Sequence, residues 1–319
     1  MRIRGFFLAI LLSFILCSCS NYNSHSTQEK TYDSEIEFQV VDSVYQKDDT
    51  NQIKKDAINE EIDILTIYVD NENNIVPCTV KVRKTLTVAK EGINLTMYNE
   101  NLKKSLSSYG LNPLLPKNIV LRGLTIRDDF ARIDFGNEFY LNSKSDLFIK
   151  ALTIFLSSFP NVKKVEFLKE NQLYCRFDKN KDFNIIYYPK IINNKIFILP
   201  KWIKIKYNDK SKYYENILKN LIIEAKGFYK ILNGLILYSA YIQGDTLYVN
   251  LSNHIMQLKE EDIKIFVQLL IFTAKHFDGV NKLSILVNNK KTALSGSFNG
   301  IYELYKYKIN PITLNWKEW

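Results

Sequence analysis

Hydrophobic and polar positions divide the chain into three textures. Gly5 to Leu16 is an uncharged, almost wholly apolar run. Residues 20–60 are polar, rich in Asn, Ser, Asp, Lys and Gln, with one patch, Ile36-Glu37-Phe38-Gln39-Val40-Val41, that reads as a stray strand. Such a stretch has too little apolar content to fold alone. From Ile62 the pattern becomes that of a folded body. Leu65-Thr66-Ile67-Tyr68-Val69 predicts a strand ended by Asp70-Asn71-Glu72-Asn73, and a second strand follows from Ile75 to Val82, with the option of continuing to Val88. A helix from near Met97 to Tyr109 closes on Gly110, a favoured C-terminal stop. Asn118 to Ile126 predicts a strand, Asp128-Asp129 a turn, and Phe130 to Phe135 a strand with Ala131, Ile133 and Phe135 on one face. Arg132 and Asp134 then fall on the other face, outward. Phe148, Ala151, Leu152, Phe155 and Phe159 share one side of a helix over Asp146 to Phe159, which Pro160-Asn161 ends. Val162, Val165 and Phe167 open the closing strand.

The pattern then recurs. A new copy starts near Phe183 to Tyr188. Leu247, Val249 and Leu251 alternate with polar neighbours after a Gly244-Asp245 turn. Ile263, Phe266, Leu270, Thr273 and Phe277 line a helix that ends at Asp278-Gly279, and Val280, Leu283 and Ile285 begin another strand. Ile133 and Val249 stand 116 positions apart, Val165 and Leu283 118 apart. A two-residue drift over a strand and a helix fits one small loop change, so the chain reads as two copies of one domain. Each copy runs strand, strand, helix, strand, strand, helix, strand, an α+β order with a small sheet and two helices. The tail after Ser295, with Tyr302, Tyr305, Tyr307 and Trp316, is expected to dock on the second copy.

The N-terminus supplies an address. Arg2 and Arg4 precede the apolar run, which is shorter than the ~20 residues a membrane-spanning helix needs and has the length of a signal-peptide core. Leu16-Cys17-Ser18-Cys19 then resembles the bacterial lipobox: an aliphatic residue, a small residue at the scissile bond, and the acylated Cys19. Cys17 does not fit as the anchor, because Leu16 would stand at the cleavage position. The expected layout is a signal peptide over 1–18, a tether over 19–61, and domains over 62–172 and 173–319. The mature protein is expected at the extracytoplasmic face of the cell membrane, held by acyl chains such as palmitate on Cys19. Two chains hold a protein on a bilayer where one is marginal.

Composition modifies this picture little. The formal charge of +9 falls to +7 when Arg2 and Arg4 leave. The lysines are scattered among Asp and Glu, Lys, Asn and Ile are heavily used throughout, and the address is outside the cytoplasm; nucleic acid is therefore not an expected partner. Beyond Cys17 and Cys19 only Cys78 and Cys175 remain, without metal or redox spacing. A Cys78–Cys175 disulfide and two separate buried thiols are both open. His25, His254 and His276 are the only histidines and form no metal motif. No nucleophile elbow and no phosphate-cradling glycine loop occurs, and no cofactor is expected. Asp134 and Glu138 are the remaining enzymatic option, as an acid–base pair on a glycan. Against it, their counterparts in the second copy are Asn250 and His254.

The stretch Ala131-Arg132-Ile133-Asp134-Phe135-Gly136-Asn137-Glu138-Phe139 resembles the strand-and-exit signature of the GerM family: an alternating strand with an Asp, a small residue, an acidic–aromatic pair. Leu115-Pro116 and Phe159-Pro160-Asn161-Val162-Lys163-Lys164-Val165-Glu166-Phe167 fit it too, and so does the tandem arrangement behind a lipobox. The resemblance spans about Ile62 to Asn289. The second copy departs from it at Val249-Asn250-Leu251-Ser252-Asn253-His254, which lacks the Asp and the acidic–aromatic pair. The resemblance implies tandem GerMN domains similar to ring-building modules of secretion-like complexes, and a role in endospore formation or germination. The function expected is a membrane-anchored, non-catalytic assembly protein with protein partners in a sporulation envelope complex. The alternatives are a peptidoglycan- or cortex-binding module, with Tyr305, Tyr307 and Trp316 as sugar-stacking rings, and a cell-wall hydrolase.

Overall fold

The computed structural model describes residues 60–159, 161–179, 183–205, 212–291 and 300–314. The signal peptide, Cys19, nearly all of the tether with its Ile36–Val41 strand, His25, Pro160 and Trp316 lie outside them. Strand β1 (Glu61–Asp70) and β2 (Ile75–Arg83) form an antiparallel hairpin, turned at Asn73 with φ 62°. Two helices follow, α1 (Val88–Asn94) and α2 (Glu100–Ser107), then the short β3 (Leu111–Pro113) on the other edge of β1. Asn99 caps α2 by accepting from the N–H groups of Asn101 and Leu102. Next come β4 (Leu121–Arg127), β5 (Phe130–Phe135), the short α3 (Asn137–Leu141), α4 (Ser145–Leu156), β6 (Lys164–Lys169) and β7 (Gln172–Asp178), with sheet order β4-β5-β6-β7. β5 and β6 run parallel, joined by α4 as the crossover.

The second half repeats this plan. The hairpin β8 (Asn184–Ile192) and β9 (Lys195–Ile203) precedes α5 (Tyr213–Phe228). Then β10 (Leu237–Gln243), β11 (Thr246–Leu251), α6 (Glu260–Ala274) and β12 (Lys282–Val287) follow, with β11 and β12 parallel. β13 (Lys290–Lys291) and β14 (Ile301–Glu303) both pair with β12, so two short strands take the place of β7. The offset of 116 and 118 residues holds bond by bond. Phe130–Phe135 faces Lys164–Lys169 as Thr246–Leu251 faces Lys282–Val287. Asp129 O accepts from Lys163 and Lys164 N–H as Asp245 O accepts from Asn281 and Lys282 N–H. The bulge at Leu121/Gly123 recurs at Leu237/Ser239.

Six short elements escaped the sequence pattern: α1, β3, α3, β7, β13 and β14. Lys84 to Val88 alternates like a strand, yet β2 ends at Arg83 and Val88 opens a helix. Helix α1 is too short to show a stripe, and it lies flat on β1. A Cβ at Gly92 would come 2.6 Å from Leu65 O and 2.7 Å from the Phe155 ring, so only glycine permits this approach.

One apolar cluster runs through both halves, from Ile67, Phe139 and Phe155 to Phe183, Phe266 and Ile285. β7 extends past the expected join at 172/173, and the linker is pinned where Lys179 Nζ approaches Asp278 Oδ1 at 3.7 Å. Trp202 of β9 stacks on Phe183 and meets Phe177 edge-on. The tail docks on more than the second copy. β14 joins β12, while Ile309 O accepts from Thr79 N–H and Ile312 N–H donates to Thr79 O of β2. Asn310 donates through Nδ2 to Pro77 O and Ile198 O, joining the two hairpins.

Candidate functional site

Asp134 does not face solvent, as the strand alternation predicted; it is 6% exposed. The reason is the β6–β7 turn. Glu170 and Asn171 both have positive φ, 52° and 67°, and the turn folds over the end of β5. Asp134 Oδ2 accepts from Asn171 N–H at 3.3 Å. The second copy builds the same device. Asn288 and Asn289 have φ 51° and 65°, and Asn250 Oδ1 accepts from Asn289 N–H at 2.9 Å. Asn250 Nδ2 also donates to Asn289 Oδ1 at 2.5 Å. Asp134 and Asn250 therefore do one job, holding a tight turn against the sheet. Asp134 does it less completely, because its buried Oδ1 meets no hydrogen-bond partner.

Glu138 lies in the first turn of α3 and folds back so that a Cβ on Gly136 would meet its Oε2 at 2.5 Å. Its counterpart His254 makes a different contact: a Cβ on Gly234 would meet its ring at 2.5 Å, while its Nδ1 lies 3.4 Å from the Oγ of Ser252, the position equivalent to Gly136. His276 is buried, its Nε2 2.9 Å from Tyr187 Oη, with Lys179 and Lys275 nearby. Burial and these two cations push it well below the ordinary imidazole value. Among the described residues no three His, Cys, Asp or Glu side chains gather as metal ligands. Cys78 and Cys175 are separate thiols, the first buried and raised in pKa by burial, the second half-buried and pushed up to about 11.

The outer sheet faces carry the groups that the sequence reading missed. Across β4-β5-β6-β7 one row reads Thr125, Arg132, Glu166, Arg176. Arg132 Nε and Nη2 donate to Glu166 Oε2 at 2.8 and 2.6 Å, and Arg176 Nε donates to Oε1 at 2.8 Å. Glu166 is 4% exposed. Burial alone would raise its carboxyl, but the hydrogen bonds and charges of the two arginines outweigh that and hold it below the usual range. The equivalent row across β10-β11-β12-β14 reads Tyr241, Tyr248, Ser284, Ile301. Tyr241 and Tyr248 stack with centroids 5.2 Å apart. The signal for the first row was present in sequence: Arg132, Glu166 and Arg176 occupy outward positions of neighbouring strands. It needed the β6–β7 hairpin to be seen.

Fold and surfaces together define a tandem pair of α+β modules whose strand-end polar groups hold turns. The chain belongs to the Germane family, sporulation and spore germination, whose model matches residues 66–175 and 185–293. The resemblance read from Ala131–Phe139 and Phe159–Phe167 thus holds in both copies. Among solved structures, the chain is similar to the tandem GerMN domains of the sporulation protein GerM from Bacillus subtilis, with 13% identity and a TM-score of 0.64, over 79% of this chain and 99% of that one. The first GerMN domain of the same protein matches at 18% identity and a TM-score of 0.32, over 35% of this chain and 85% of that one. A comparison with curated proteins found no match.

Proposed function

We propose that the chain is a membrane-anchored, non-catalytic assembly protein of endospore formation or germination, standing on the extracytoplasmic face of the cell membrane. The observation that carries the non-catalytic part is the equivalence of Asp134 and Asn250. A carboxylate and an amide hold the same turn, which is a backbone task and needs no proton transfer. Membership of a sporulation and germination family supports the setting. The lipobox Leu16-Cys17-Ser18-Cys19 supports the anchor. On this reading the partners are proteins of a sporulation envelope complex, met through sheet faces and edges.

Two experiments on sporulating cells test this. Cys19→Ala releases the chain from membranes or leaves it unprocessed, whereas Cys17→Ala remains acylated; lipid labelling that follows Cys17 overturns the assignment. Replacing Asp134 and Glu138 together by Asn and Gln leaves spore yield unchanged. A hydrolase using the pair would lose about 10²–10⁴-fold in rate. A folded double variant that fails to sporulate would count for the enzyme.

A further inference from the structure

One corner of the second sheet holds an open dent of about 490 Å³, lined by Tyr238, Ser239, Asn250, Asn288 and Asn289. That volume falls within the range of small-ligand sites, roughly 300–1,000 Å³. No lining side chain is charged. The floor is fixed, since the Asn250 amide is spent on Asn289 through both its oxygen and its nitrogen. Tyr238 stands at the β10 bulge, 51% exposed. Beside the dent runs the row Tyr241, Tyr248, Ser284, Ile301, also uncharged, whose buried Ser284 Oγ has no hydrogen-bond partner.

The first copy shows that the fold does not require this chemistry. The positions equivalent to Tyr238, Ser239, Asn250, Asn288 and Asn289 are Arg122, Gly123, Asp134, Glu170 and Asn171. There Arg122 Nη1 lies 3.6 Å from Glu170 Oε1, and Asn137 Nδ2 donates to the same oxygen at 2.9 Å. An ion pair occupies the corner that the second copy leaves neutral, aromatic and open.

We propose that this dent and the adjoining tyrosine row bind an uncharged, hydroxyl-rich oligosaccharide such as an N-acetylhexosamine chain. Phenol rings offer a flat apolar face and a polar tip, which suits a sugar ring with C–H groups on its faces and hydroxyls on its rim. The exposed Asn288 amide, the Asn289 Nδ2 and the half-buried Ser239 hydroxyl supply directional donors and acceptors at the edge of that face. An anionic ligand would find no cation in the lining. A protein partner is a poorer match for the area. Four strands about 4.8 Å apart and some six residues at about 3.3 Å give roughly 400 Å², half of what a standard interface buries per partner. The inference goes beyond the assembly role and does not rest on it.

The test titrates the intact chain in detergent with chitotetraose, followed by calorimetry. The expected result is saturable binding with one site per chain. Tyr238→Ala weakens it about tenfold, and Tyr238→Phe keeps it within about twofold, since the ring and not the hydroxyl supplies the stacking. Arg122→Ala, the equivalent change in the first copy, leaves it unaltered. Thermal unfolding of each variant confirms that it is folded. Absence of saturable binding overturns the proposal, and so does undiminished binding by folded Tyr238→Ala. Self-association of the chain that Tyr238→Ala abolishes, without sugar binding, assigns the face to protein contact and overturns it equally.

Discussion

The sheet β4–β7 and the sheet built on β10–β12 share a bulge, a parallel strand pair, an Asp–Lys ion pair at the first turn and a polar side chain that holds the last one. Their inner faces carry the same kind of apolar row. Their outer faces do not match: Arg132, Glu166 and Arg176 on one, Tyr248, Ser284 and Ile301 on the other. At the helix exits the contrast reverses. Ser158 after α4 donates to Ile154 O and cannot titrate, whereas the matching His276 after α6 is buried beside two lysines. Backbone and inner face define the module, while charge is free to move between surfaces. The chemical differences between the copies therefore lie on the outer faces and at the helix exits.

The largest expected effect tests how far the first outer face depends on its ions. Glu166→Ala leaves Arg132 and Arg176 facing each other without their shared carboxylate. Loss of one partner of a buried pair costs 3–5 kcal/mol; with both guanidiniums about half exposed, about 2–3 kcal/mol is expected here. Ser284→Ala at the equivalent position costs nothing, because the Ser284 hydroxyl is already unpartnered. Urea unfolding of the two variants checks the pair. Equal losses would mean that the rows are not energetically distinct.

Much of this architecture was legible from the chain. Ile133, Val249, Val165 and Leu283 disclosed the repeat because inward side chains on a strand must alternate and the core demands volume at each copy. The family signature at Asp134 to Phe139 was legible for a related reason: it is turn and core chemistry. The burial of Asp134 was not legible. Alternation sends a side chain to a face but does not say whether a neighbouring turn covers that face. Helix α1 was hidden because its contact with β1 depends on Gly92, an absence of side chain that leaves no periodic mark. The neutral row needed strand order, since Tyr241 and Ile301 are neighbours only through β11 and β12.

The next effect separates the helix exits. His276 is neutral in the folded chain, its proton affinity depressed by burial and by Lys179 and Lys275. In the unfolded chain it returns to about 6.5. The stabilisation is present above that value and is lost as pH falls, since the unfolded state then binds a proton that the folded state refuses. The loss accumulates between pH 7 and pH 5, where the unfolded imidazole takes up its proton. Denaturant unfolding of the native chain across that range should show the loss, and His276→Gln should remove that share of the slope. A slope unchanged in the variant would show that the imidazole is not the titrating group.

The smallest expected effect exchanges the turn holders. Asp134→Asn gives the first copy the side chain that the second copy already uses. The new Nδ2 can donate to Asn171 Oδ1 as Asn250 Nδ2 does to Asn289 Oδ1. The change also removes a buried carboxylate oxygen that lacks a hydrogen-bond partner. One added hydrogen bond and one fewer unsatisfied acceptor predict a gain of about 1 kcal/mol. Asn250→Asp runs the other way, converting the donor to Asn289 into an acceptor facing an acceptor, and should lose about as much. Because the positions lie in separate sheets and share no partner, the double exchange should sum to near zero. Thermal unfolding of the single and double variants measures all three. A loss on Asp134→Asn would mean that the carboxylate has a task its copy does not share, and the equivalence of the two strand ends would end there.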